Sequence, residues 1–326
     1  AGLGQRVTLI QGPPGTGKTH VCADLMEMWC KRLQRKPILA TAHTNTAVDN
    51  LAEAAMARGL KVVRIGQAER LSPRMDKARL SAHVERLREA EQQRHGTEEE
   101  EGLDQASEGN VVEKEWMKLS PAQNMFLIRE EERQRNQQFQ LRVLDGADVI
   151  CMTTASAGSE VFDDLKLAAI LIDEAAQATE VSTLVPLATC NAEQLVVVGD
   201  HCQLPPTTSS KEAVQRGLDL SLFGRFVGLG FRPYFLNTQF RMHPILAEFS
   251  SQWFYGGHLE SGVDSKAKMP PAGFEWPNPI VGAAFIQVGG RESQEGVSYA
   301  NYREAVKVVD VVCGLLAAGD VSEAEV

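Results

Sequence analysis

Seven short apolar runs punctuate the chain: Val7–Ile10, Ile38–Ala42, Val62–Ile65, Val149–Met152, Ala168–Ile172, Leu195–Val198 and Tyr234–Leu236. They are continuous rather than alternating in polarity, and stretches of helical period lie between them. Strands covered on both faces read this way, so the pattern predicts an α/β fold built on a parallel sheet. Between Arg70 and Gly146 the strand formers give way to a charge-dense segment with Glu98, Glu99, Glu100 and Glu101 in its middle. Its flanks, 74–94 and 122–144, carry apolar residues at helical spacing (Val84 and Leu87; Met125 and Ile128; Leu141 and Leu144), which predicts an insertion of two helices joined by a mobile acidic link. After Thr238 the spacing loosens through a proline-rich stretch, 269–279, to an expected strand at Ala283–Val288 and an expected helix from Asn301 to Ala317. The chain is thus expected to hold one complete domain and the opening portion of another, and, starting directly before a strand, to lack a natural N-terminal portion.

The segment after the first run changes the picture most. Gly12-Pro13-Pro14-Gly15-Thr16-Gly17-Lys18-Thr19 fits G-x-x-x-x-G-K-[ST], with a strand before it and a helical pattern after it. Glycines at these positions let backbone N–H groups wrap a phosphate chain, and the following helix offers its positive end to the anion. A nucleoside triphosphate, ATP or GTP, is therefore the first ligand to expect. Lys18 would reach the β and γ phosphates, and Thr19 would coordinate Mg²⁺.

Composition narrows the class. The 326 residues are 43% hydrophobic and 23% charged, which is enough for a substantial core and a length that suggests about two domains. No run approaches the roughly 20 apolar residues of a membrane-spanning helix, and the N-terminus lacks the layout of a signal peptide. Six cysteines are scattered without C-x-x-C pairs, which argues against a zinc site and a disulfide framework. A reducing compartment follows, with cytoplasm expected and nucleus as the alternative. The formal net charge of −10 weighs weakly against a nucleic-acid partner, because net charge reports steering and solubility rather than the potential inside a groove.

Three further motifs carry chemistry. The run ending in Ile172 delivers Asp173 and Glu174, two acids at a strand tip: the first would hold Mg²⁺ and the second would orient and deprotonate an attacking water. The run ending in Val198 delivers Gly199-Asp200-His201-Cys202-Gln203-Leu204-Pro205-Pro206, where the amide of Gln203 can bond both a γ-phosphate oxygen and the lytic water. Gln239-Phe240-Arg241-Met242-His243-Pro244 then places Arg241 as a candidate to stabilise charge on the γ-phosphate. Phe240 would stack on the adenine ring or sit in a core. Arg129, Arg133 and Arg135 form either a basic face toward nucleic acid or an ordinary solvated helix face.

These motifs, with Thr44-Asn45-Thr46-Ala47-Val48-Asp49 and Asp173-Glu174-Ala175-Ala176-Gln177, occur in an order that resembles the superfamily 1B helicases, and within them the Upf/senataxin-like family that includes the nonsense-mediated-decay RNA helicase. The similarity continues between motifs and covers nearly the whole chain. It implies a RecA-like ATPase domain at 1–69 and 147–237, a helical insertion at 70–146 beside the nucleic-acid channel, and the truncated start of a second RecA-like domain at 238–326. It implies ATP and Mg²⁺ as cofactors, single-stranded RNA or DNA as the track with RNA favoured, movement 5′ to 3′, and regulatory proteins acting through regions missing from this chain. Thr44 and Asn45 match one nucleic-acid-contacting motif, Thr153 and Thr154 sit where a second is expected, and Pro205, Pro206 and Thr207 would couple the phosphate sensor to the strand. Gln239 and Phe240 fall with Arg241 in the ATP set. His20 stands where the family often has a small apolar residue flanking the base. The glutamine that reads adenine upstream of the phosphate loop has no counterpart here. The fragment itself is expected to turn over little ATP, and an ATP-gated RNA clamp without unwinding is the alternative reading of the whole protein.

Overall fold

The computed structural model describes residues 5–101, 121–159, 162, 165–296 and 298–325. Backbone contacts divide them into two compact units, the first running to Leu236 and the second starting at Asn237, with Pro13–Thr16 grouped with the second.

The first unit follows the apolar runs. Strand β1 (Val7–Gln11) leads into helix α1 (Lys18–Glu27), followed by β2 (Ile38–Ala42), α2 (Asn45–Ala57), β3 (Val62–Arg64), α3 (Leu80–Glu101), α4 (Pro121–Asp145), β4 (Val149–Thr153), β5 (Leu167–Asp173), α5 (Glu180–Thr189), β6 (Ala192–Gly199), α6 (Lys211–Gln215), α7 (Leu222–Gly228) and β7 (Tyr234–Phe235). All seven expected runs become strands of one sheet in the order β3-β4-β2-β5-β6-β1-β7. Every pairing in it is parallel.

Alternation inside each run sends side chains to two separate cores. Ile10, Ile38, Ala40, Leu171, Val196 and Val198 pack with Cys22, Met26 and Leu51 on one face. Leu9, Leu39, Ile170, Ile172 and Val197 pack with Leu144, Phe162 and Phe223 on the other. Both faces are apolar because helices cover both, which is why the strands read as continuous hydrophobic runs.

The insertion rests on the second of these cores. Val84 of α3 and Phe139, Val143 and Leu144 of α4 are buried there with Val63 and Ile150. Two guanidinium groups, those of Arg88 and Arg142, lie 5.2 and 5.8 Å from the Phe139 ring centre. Two expectations are corrected here. The acidic run Glu98–Glu101 belongs to the backbone of α3 and not to a link, since glutamate is a good helix former; residues 102–120 of the expected link lie outside the described residues. Met125 and Ile128 are exposed, so the apolar stripe of α4 is confined to its C-terminal half. Arg129, Arg133 and Arg135 are exposed as well, and Arg133 pairs with Glu130, as a solvated face does.

In the second unit, β8 (Thr238–Gln239) pairs in parallel with β9 (Glu260–Ser261), and helix α8 (Pro244–Phe254) lies between them in sequence. Strands β10 (Ser293–Glu295) and β11 (Ser298–Ala300) form an antiparallel pair, and the expected helix follows as α9 (Tyr302–Ala318), capped by Asn301. The strand expected at 283–288 does not form: no strand pairs with that stretch among the described residues, and Phe285 is 88% exposed. An apolar run becomes a strand only when another strand takes up its backbone N–H and C=O groups.

Candidate nucleotide site

The loop between β1 and α1 is shaped by its own hydrogen bonds. Gly15 and Gly17 have φ of 77° and 79°, a region costly for any residue with a Cβ. Thr16 is buried, and its Oγ1 donates to Pro13 O at 2.8 Å. Gly12 N donates to Gly199 O at 3.0 Å, fixing the start of the loop to the end of β6. Lys18 Nζ donates to Gly12 O at 3.0 Å, so the lysine folds back over the loop that precedes it. Thr19 is half-buried in the first turn of α1. His20 follows it, exposed, with Nε2 3.1 Å from Arg58 Nη2.

The carboxylates arrive from β5. Asp173 is 3% exposed, and its Oδ1 accepts from the backbone N–H of Glu174 at 2.8 Å. Burial, reinforced by the charge of Glu174, pushes its carboxyl up to about 6. A carboxylate held this far from water calls for a cation, so the residue fits a metal ligand, with Thr19 as the other protein oxygen in the expected set. Glu174 has φ of 49°, an unfavourable conformation for a residue with a side chain. Three contacts keep it there: Gln177 Nε2 donates to its Oε2 at 3.2 Å, Gln177 N donates to its carbonyl at 3.0 Å, and the next residue, Ala175, donates its N–H to Val198 O at 2.9 Å. Its Oε1 lies 3.6 Å from Lys18 Nζ. The strand next door comes very close, because a Cβ on Gly199 would sit 2.9 Å from Ala176 N. That approach accounts for glycine at the end of β6 and for the small residues Ala175 and Ala176 opposite it.

Gln203 is held by a residue to which the sequence reading gave no role. Its Nε2 donates to Asp200 Oδ2 at 2.8 Å and its backbone N donates to Asp200 O at 3.1 Å. Asp200 is 2% exposed, and its Oδ1 accepts from Gln11 Nε2 at 3.1 Å and from Cys202 N at 3.2 Å. Gln11 closes β1, so a buried amide–carboxylate contact joins the phosphate-loop strand to the loop carrying Gln203.

The expected nucleic-acid contacts occupy loops at the same carboxyl ends of the strands. Thr44 is exposed and caps α2, its Oγ1 accepting from Ala47 N at 3.3 Å. Asn45 Oδ1 accepts from Arg64 Nη2 at 3.0 Å. Arg64 is itself fully buried, with Nε 2.8 Å from Asp49 Oδ1, an ion pair absent from the sequence reading although the arginine sits within an apolar run. Thr153 Oγ1 lies 2.8 Å from Ser156 Oγ. Thr154, by contrast, is wholly buried with its hydroxyl 2.7 Å from Ser182, so it anchors the loop that carries Thr153 and offers no side-chain surface of its own. Pro205 and Thr207 are exposed, whereas Pro206 is buried.

In the second unit Gln239 departs from its expected role. It is 0% exposed, its Oε1 accepts from the N–H groups of Arg241 and Met242, and its Nε2 donates to Met242 O and Ser261 Oγ. All its capacity goes into the turn and the neighbouring β9, so it shapes the backbone beneath Arg241 and has nothing left for a nucleotide. Arg241 is exposed, and Phe240 is 63% exposed, which removes the core reading of that ring.

Models described as AAA domain match residues 2–211 and 218–325. The regulator of nonsense transcripts 1 homolog of Drosophila melanogaster is 37% identical over 321 residues, which take in 97% of this chain and 26% of the fly protein. The ATP-dependent helicase NAM7 of Saccharomyces cerevisiae is 35% identical over 323 residues, 97% of this chain and 31% of the yeast one. The chain belongs to the superfamily 1 helicases. Its seven-stranded, all-parallel sheet is the α/β architecture that the sequence predicted. Among solved structures, the PRRSV helicase aligns over 84% of this superfamily 1 chain and 38% of its own, at 15% identity and a TM-score of 0.40. The chain thus spans about a quarter to a third of the length of the curated relatives it matches.

Proposed function

We propose that the parent protein is an ATP-driven translocase on single-stranded nucleic acid, with RNA the favoured track and 5′ to 3′ the direction. The observation that carries the ATPase half is the convergence of Lys18 and Glu174, 3.6 Å apart, with the buried Asp173 next to Glu174 in sequence at the tip of β5. Lys18 binds the β and γ phosphates, and the backbone from Gly12 to Thr19, Pro13 and Pro14 included, wraps them. Thr19 and Asp173 hold Mg²⁺, which when bound neutralises charge on the phosphates. Glu174 takes the proton of the attacking water as its oxygen bonds to the γ-phosphorus and ADP leaves. Gln203 reports the terminal phosphate, and Arg241 stabilises its developing charge. Phe240 and His20 flank the base.

Thr44, Asn45 and Thr153, with Pro205 and Thr207 after the sensor, contact the sugar-phosphate backbone. Contacts of this kind make binding salt-sensitive and largely independent of sequence. Hydrolysis alternates the grip of the two units and so advances the motor.

Steady-state ATP turnover by the full-length parent, titrated with single-stranded RNA and then DNA, tests the proposal, with Lys18→Ala as the blank. Strong stimulation that the blank loses is the expected result. Unchanged turnover in Lys18→Ala overturns the site assignment, and nucleotide and RNA binding without turnover means a clamp.

A further inference from the structure

Asp200, His201 and Cys202 each present one ligand atom, and the three atoms lie within 4.8 Å of one another. The lack of C-x-x-C pairs bears on sites built from paired thiols and not on three adjacent residues of different type. The His201 Nε2 to Cys202 Sγ distance is 3.8 Å. Tetrahedral Zn²⁺ with Zn–N of about 2.0–2.1 Å and Zn–S of about 2.3 Å sets these two atoms about 3.6 Å apart. The pair therefore stands close to the separation that the ion requires, and the Asp200 carboxylate, within 4.8 Å of both, supplies the third ligand atom.

Neighbouring groups hold these ligands in place. The His201 ring stacks on the buried ring of Phe223, with centroids 5.9 Å apart. Gln11 Nε2 lies 3.1 Å from Asp200 Oδ1 and 3.7 Å from Cys202 Sγ, the position from which an outer hydrogen-bond partner orients metal ligands. His201 is exposed and Cys202 half-buried, so an ion can enter from solvent.

We propose that this cluster binds a thiophilic divalent cation, Zn²⁺ or its like, at a site separate from the one that takes Mg²⁺. The donor set makes the distinction: imidazole and thiolate favour Zn²⁺, while Mg²⁺ demands six oxygens in octahedral array. The cation displaces the Cys202 thiol proton to solvent and leaves one tetrahedral position for water. It draws on the carboxylate that also accepts from Gln203 Nε2 at 2.8 Å, so occupancy competes with the contact that positions Gln203.

Co²⁺ titration of the chain, with no nucleotide present, reads the site directly through the thiolate-to-cobalt charge-transfer band. Binding is therefore judged without reference to the ATPase reading. The expected result, in a Cys313→Ser background that removes the other accessible thiol, is a one-to-one band that Zn²⁺ bleaches and a large excess of Mg²⁺ does not. Cys202→Ser abolishes the band, and His201→Ala, at an exposed position that tolerates truncation, shifts it and weakens binding. No band, or a band that survives Cys202→Ser or is unmoved by His201→Ala, overturns the proposal.

Discussion

Lys18 Nζ lies 3.6 Å from Glu174 Oε1, in an ion pair that ties the phosphate loop to the tip of the central strand β5. Both side chains are largely shielded, at 12% and 32% exposure, so the loop lysine and the candidate base are pre-positioned against each other. Glu174→Gln keeps the shape and removes the base. ATP binding is expected to persist while the single-turnover rate falls by about 10²–10⁴-fold. Quench-flow kinetics checks this, and a rate near that of the parent would remove Glu174 from proton transfer.

Asp173 gives the molecule a pH dependence of opposite sign to that of an ordinary paired carboxylate. Its carboxyl is pushed up from 3.8 to about 6 by burial and then by Glu174, so the folded state holds the proton more tightly than the unfolded chain. Between pH 3.8 and about 6 the native state carries the extra proton, and stability contributed by this group falls as pH rises. Above that window the full loss is present, at most about 3 kcal/mol. Asp173→Asn is expected to raise the melting temperature at pH 7 and to flatten its slope across that window, while abolishing Mg-ATP turnover. Thermal melts at a series of pH values decide it.

Arg64 is fully buried against Asp49, whose Oδ2 also accepts from Ser72 N at 3.0 Å. Removing one partner strands the other charge, so Arg64→Ala is expected to cost about 3–5 kcal/mol in urea unfolding. Arg64→Met combined with Asp49→Leu is expected to recover most of it. If the double variant is as unstable as the single, the cost belongs to lost packing or to Asn45 and not to an unpaired charge.

Phe240, 63% exposed, packs into no core. Phe240→Ala is expected to raise the KM for ATP in the parent with little change in melting temperature. A stability loss on the scale of a core truncation, about 3–5 kcal/mol, would show that the ring is structural after all.

The parts of the fold legible in the sequence were those that one stretch of chain settles. Each strand of the sheet is an apolar run because both its faces are covered, and Gly15 and Gly17 answer a local backbone need at positive φ. The failures share a cause. The run at 283–288 has the composition of a strand, but no strand pairs with it among the described residues. The strands that do form at Ser293–Glu295 and Ser298–Ala300 are too polar to announce themselves. Asp200 looks like any acid in a turn until Gln11, 189 positions away, is brought against it. Gln239 reads as a ligand contact from its place beside Arg241, but burial turned its amide into the hub of a turn. Long-range partners assigned these roles, and a linear pattern does not record them.

The strand register acts as a ruler. Ala42 stands level with both Asp173 and Thr153, and Gln11 with Gly199, one residue further along by the Ile172–Val197 pairing, so five loops leave the sheet within one residue of a common plane. Deleting one residue within β2 or β6 would retract its loop by about 3.3 Å and reverse which face each of its side chains meets. Evolution can therefore repaint these strands with other apolar residues far more readily than it can change their length. Insertions belong where this chain carries one, between β3 and β4 at the margin of the sheet, where added residues leave the common plane undisturbed.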